Sequence, residues 1–174
     1  MPNKTIKDLS VAYDISTSGG KAVAIGKMIR ANFHVPDGFV ITSSSKMQMS
    51  PGLEKEILAK LDALNAPLVA VRSSGIAEDS HDAAWAGQFD SFLNVQRGEL
   101  IEKVKSSWAS ATSDRANAYA ERLNIPLAPI AVIVQKMVQS EVSGIAFSVN
   151  PITKDAKQVV IEAGYGLGEA FVSG

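Results

Sequence analysis

The sequence predicts an α+β fold with a mixed, mainly antiparallel sheet and flanking helices. Two observations carry this. Apolar residues recur at helical spacing in four separate stretches, and the last third of the chain holds three strand-like runs. The connections between those runs are too short for helical crossovers, which favours antiparallel pairing. The 174 residues, 46% hydrophobic, suffice for one domain or two small lobes with a real core.

The elements follow in order. Residues 1–17 are mixed and polar, with room for one short strand. Ser18-Gly19-Gly20 precedes a helical pattern of Ala22, Ile25 and Ile29. Val35-Pro36-Asp37-Gly38 is a turn signal before the strand-like Phe39–Thr42. Ser50 and Pro51 read as N-cap and first position of a helix with Leu53, Ile57, Leu61 and Leu64 on one face. Leu68–Arg72 reads as a buried strand, residues 74–87 as a loop around Trp85, and Phe89–Val95 as another strand. Two helices follow, one with Ile101, Val104 and Trp108 on a stripe, the other with Ala116, Tyr119, Ala120 and Leu123. Between Ile125 and Thr153 the only charges are Lys136 and Glu141. Ile130–Val138 and Gly144–Val149 therefore read as two buried strands joined by Gln139-Ser140-Glu141, with Gln158–Glu162 as a third. Strands this apolar need cover, so exposed apolar surface is expected near the C-terminal end.

Charge and composition exclude several classes of function. With 17 basic and 18 acidic residues, no broad attraction to nucleic acid or anionic membrane is expected. No apolar run approaches the roughly 20 residues that span a bilayer, and no signal-peptide core stands at the N-terminus. Without cysteine there is no disulfide framework, thiolate metal site or cysteine nucleophile. A soluble, cytoplasmic protein with no nucleic-acid or membrane partner is the expectation. The end at Phe171-Val172-Ser173-Gly174 has no polar tail and reads as cut within an element, so a longer protein is expected.

Five segments can carry chemistry. Gly19-Gly20-Lys21 sits at a helix start, where backbone N–H groups and a lysine suit phosphate, or where a lysine is merely solvated. It is not a Walker A loop, lacking the spacing and the Ser/Thr. Arg72, ending an apolar strand before Ser73 and Ser74, can grip phosphate bidentately or pair with Glu78 or Asp79. Ala86-Gly87-Gln88 permits a backbone cradle or an ordinary loop. Gln135-Lys136-Met137-Val138 can line an adenine pocket or form a core strand with one wet side. Glu162, ending its strand, offers a ribose or metal ligand, or a loop anchor. Gly164-Tyr165-Gly166-Leu167-Gly168-Glu169 has G-x-G-x-G spacing, which is weak for a dinucleotide fingerprint. His34 and His81 lack partners at metal-ligand spacing, so exposed side chains are expected.

In order, GGKAVAIGKMI, VPDGFVIT, VRSSGIAEDS, AGQFDSFLNV, VIVQKMV, SGIAFSVNP and IEAGYGLGE resemble the N-terminal nucleotide-binding region of the phosphoenolpyruvate synthases. Pyruvate phosphate dikinases and rifamycin phosphotransferases are similar. The resemblance runs over nearly the whole chain from Gly19. Ala31-Asn32-Phe33 stands where many relatives carry a glycine-containing turn. The resemblance implies the first lobe of an ATP-grasp-like fold, spanning residues 1–174, as a fragment of a multidomain enzyme. It implies that Lys21 and Arg72 contact the phosphates of ATP and carry catalysis. Gly87 and Ser91 would belong to a phosphate-covering loop, with serine where relatives commonly have threonine. Gln135 would lie by the adenine, and Met137 and Val138 would form the base pocket. A histidine on a separate domain would take the phosphoryl group and deliver it to pyruvate on a third. Mg²⁺ would serve the transfer, held by ligands downstream of this chain. A rifamycin phosphotransferase lobe and a non-catalytic nucleotide-binding module are the competing readings.

Overall fold

The structure is a computed structural model that describes residues 4–76, 90–123 and 129–168. It divides into two units between Met137 and Val138. Fully antiparallel pairing joins five strands of the first unit in the order β1-β2-β5-β3-β4. These strands are β1 (Ile6–Asp8), β2 (Gly38–Ile41), β3 (Val69–Gly75), β4 (Ser91–Val95) and β5 (Ile130–Lys136). Helices α1 (Ile15–Arg30), α2 (Pro51–Leu64), α3 (Leu100–Ser110) and α4 (Asp114–Leu123) complete it. The predicted α+β class and mainly antiparallel sheet are thus what forms.

Strand alternation sorts the sheet's side chains into two cores. On one face Phe39, Ile41, Val69, Val71, Ile130, Val132 and Val134 pack with Leu53, Ile57 and Leu61 of α2 and Leu100, Val104 and Trp108 of α3. On the other, Val40, Ala131 and Ile133 pack with Leu9, Ala12 and Ala22, with Ile25 and Ile29 alongside. α1 covers this second face. β5 is central because every residue from Ile130 to Gln135 is buried, as a strand covered on both sides must be.

Local signals explain the helix ends. Ser50 caps α2 by accepting a hydrogen bond from Leu53 N–H at 3.2 Å, with Pro51 in the first turn. Asn65 closes it in the left-handed conformation. α1 starts three residues before the Ser18 of the sequence pattern. Asp14 is the reason, since its carboxylate accepts from the Ser16 N–H (2.9 Å) and hydroxyl (2.7 Å). Asn32, at φ 59°, takes the left-handed turn position after α1.

The second unit contains β6 (Val142–Phe147) and β7 (Val160–Tyr165), an antiparallel pair with Val142 opposite Tyr165 and Phe147 opposite Val160. Here the expectation of two consecutive buried strands fails. β6 pairs with β7 alone, and neither strand holds a buried residue. β5 instead finds its partners in β2 and β3, far away in sequence, so apolarity reports burial for β5 and not for β6. The expected exposed apolar surface is present, with Ile161 70% and Tyr165 93% accessible. The strand expected over Gln158–Glu162 begins at Val160 and runs on to Tyr165. Trp85, His81, Glu78, Asp79, Gly87 and Phe89, and the side chains of Tyr119 and Leu123, lie outside the described residues.

Candidate functional site

The candidate site is built on the α1 face of the five-stranded sheet. β3 runs on past Arg72 to Gly75, where sequence alone placed the loop from residue 74. Arg72 is half-buried and stands opposite Ile133 of β5 and Ser91 of β4. Ile133 belongs to the α1-side core, so Arg72 and Ser91 share that face with it. Gln135, two residues along β5, faces the same way, opposite Ala70. Ser91 is held from behind: the N–H of the preceding Asp90 donates to the Ser110 hydroxyl at 3.4 Å, and that hydroxyl donates to the Ser107 carbonyl at 2.7 Å.

Lys21 reaches this face through a break in α1. Gly19 sits at φ 77° and ψ 161°, outside helical space, so the helix restarts after it. Only glycine fits here, because a Cβ would run into the carbonyl and hydroxyl oxygens of Ser74 as well as strain the backbone. The N–H of Ala22 donates to the Ser74 hydroxyl at 3.2 Å, which seats the Gly20-Lys21-Ala22 turn on the end of β3. Lys21, half-buried, lies beside the strand that carries Arg72. Sequence reasoning missed Gly19 and Ser74 as a pair. The available signal was a restart of helix at a glycine, which has no side chain of its own to cap it.

The end of β5 is tied to the Pro36-Asp37 turn. The Gln135 side-chain amide donates to the Pro36 carbonyl at 2.9 Å, and Lys136 N–H donates to the Asp37 carbonyl at 2.8 Å. The Lys136 ammonium also lies 3.4 Å from the Asp37 carboxylate. Gln135 is buried, so one of its amide protons is committed to scaffold. Met137 N–H donates to the Leu68 carbonyl at 3.0 Å. Val138 opens the second unit and is exposed.

Glu162 is exposed on β7, opposite Ile145. His34 is exposed, as expected. Among the described residues no group of three or more His, Asp or Glu could hold a metal. Of the perturbed acids, Asp14 caps α1 itself and Asp62 lies on α2, across the sheet. Hydrogen bonds from Ser16 hold Asp14 below the usual carboxylate range. The Arg97 guanidinium does the same for Asp62, and Asp62 in turn pushes Arg97 up.

Fold and site together define an α+β domain in which Arg72, Ser91 and Gln135 share the α1 face of the sheet and Lys21 stands at the restart of α1 beside β3. The chain belongs to the family of pyruvate phosphate dikinase AMP/ATP-binding domains, whose model matches residues 45–174. A phosphoenolpyruvate synthase of Aeropyrum pernix is 36% identical over 90% of this chain and 25% of its own length. The phosphotransferase YvkC of Bacillus subtilis is 34% identical over 90% of this chain and 22% of its own. The prodigiosin synthesizing transferase PigC of Serratia marcescens is 34% identical over 90% and 21%. The chain thus spans about a quarter of the length of the curated relatives it matches. Among the described residues no helix is long and apolar enough to cross a membrane.

Proposed function

We propose that this chain is the first ATP-grasp-like lobe of a longer cytoplasmic phosphotransferase of the phosphoenolpyruvate synthase type. The observation that carries the reading is the common sheet face of Arg72, Ser91 and Gln135, with Lys21 brought to the end of β3 by the Gly19 break. Lys21 and Arg72 neutralise the phosphates, Ser91 meets them from the first position of β4 and not from the covering loop in which the sequence placed it, and Gly87 serves in that loop. Gln135 sits at the adenine side, while the Met137 carbonyl and the Val138 backbone read the base edge and their side chains cover it. In the complete enzyme a phosphoryl group passes from ATP to a histidine of another domain and then to pyruvate. Because charge develops on the transferred group, the cations contribute by fixed electrostatic stabilisation. Mg²⁺ would supply further positive charge when bound, held by ligands downstream of residues 1–174.

The acceptor is chosen elsewhere. A phosphoenolpyruvate synthase and a prodigiosin synthesizing transferase each match 90% of this chain, at 36% and 34% identity. The alternative acceptor is a rifamycin, which this lobe does not distinguish from pyruvate because the acceptor binds another domain. The test is Arg72→Ala in the full-length protein. Phosphoryl transfer from ATP is abolished while the lobe's circular dichroism is unchanged; turnover at the normal rate contradicts the assignment.

A further inference from the structure

We infer that Ser74 is a positioning residue for the phosphate site, acting as a helix cap supplied by a neighbouring strand. The inference deepens the ATP reading above and rests on it. A helix start normally satisfies one of its orphan N–H groups with the N-cap side chain. The restart of α1 has glycine at that position, with φ 77° and ψ 161°, and hence no capping oxygen of its own. The oxygen comes from Ser74, which is fully buried and accepts the Ala22 N–H at 3.2 Å. The fit is mutual, because the same Ser74 atoms occupy the space that a Gly19 side chain would need.

Ser74 follows Arg72 by two residues on β3, so the guanidinium and the capping hydroxyl project from the same sheet face. One strand therefore sets both cations: Arg72 directly, and Lys21 through the turn that Ser74 pins. A small error at such a pin misplaces a charge whose value depends on its position. Adenine recognition, at the far end of β5, does not pass through this contact. Loss of the Ser74 hydroxyl thus weakens binding in proportion to phosphate content and leaves the nucleoside part untouched.

The test compares the wild-type chain with Ser74→Ala, titrated with ATP and with adenosine. S74A binds ATP about tenfold more weakly, the scale of a lost cap, while adenosine affinity stays within about twofold. Equal weakening for both ligands marks a general structural role and overturns the inference, as does unchanged ATP affinity. If S74A does not fold, amide exchange in the wild type decides. The inference requires Ala22 N–H to be protected both before and after ATP saturation, and rapid exchange in the free protein overturns it. Failure of the wild type to bind ATP overturns the ATP reading itself, and is told apart from failure of the cap, in which wild type and S74A bind ATP alike.

Discussion

At the scale of single residues, charge placement gives the sharpest expectation away from the site. Arg97 grips Asp62 through two hydrogen bonds of 2.7 and 2.9 Å, and these hold the carboxyl below its usual range. A carboxylate with a depressed folded value contributes stability above its unfolded value, and loses it as pH falls through the folded one. The wild type should therefore exceed Asp62→Asn in thermal stability at neutral pH, with the gap closing below about pH 4. Because the pair is exposed, added salt should narrow the gap as well. A gap that widens with acid would contradict the pairing. Legibility at this scale was uneven. Lys21 and Arg72 were singled out only through the ordered motifs, because a lysine at a helix start can be merely solvated and a strand-end arginine can form an ion pair. The Gly19–Ser74 contact was hidden because its partners stand 52 residues apart, and no local pattern marks a cap that arrives from another strand.

Among the elements, α2 shows how a helix earns its place. Its Ile57 is fully buried against the sheet, between Leu53 and Leu61 one turn away on either side. Removing its branched side chain leaves a cavity in the core on that face. Ile57→Ala should cost about 2–5 kcal/mol by urea denaturation, with an unchanged denaturant slope. A cost below about 1 kcal/mol would mean that α2 does not cover the sheet as described. Helices and their caps were legible because Ser50, Pro51 and the i, i+4 apolar spacing act locally. β6 was misread because a run of apolar residues says that a strand wants cover, not that it has found any. Pairing order was illegible for a related reason: β5 sits between β2 and β3, and long-range register leaves no mark on short apolar runs.

On the scale of the whole molecule, the two units carry different parts of the account. The first holds a closed core on both faces of its sheet together with Lys21, Arg72, Ser91 and Gln135. Among its described residues the second has a two-stranded hairpin whose Val142, Ala146, Ile161 and Tyr165 line one exposed apolar face, and two strands by themselves are marginal in water. Near-neutral net charge leaves nucleotide affinity to a few placed cations, not to a basic surface. The central claim, that the α1 face of the sheet is where ATP binds, is tested most directly by titrating the ¹⁵N-labelled chain with ATP up to millimolar concentration. Amide shifts are predicted for residues 19–22, Arg72, Gly87, Ser91 and the Gln135–Val138 stretch, with α2 on the opposite face unmoved. Shifts confined to α2, or none at millimolar ATP, would contradict it.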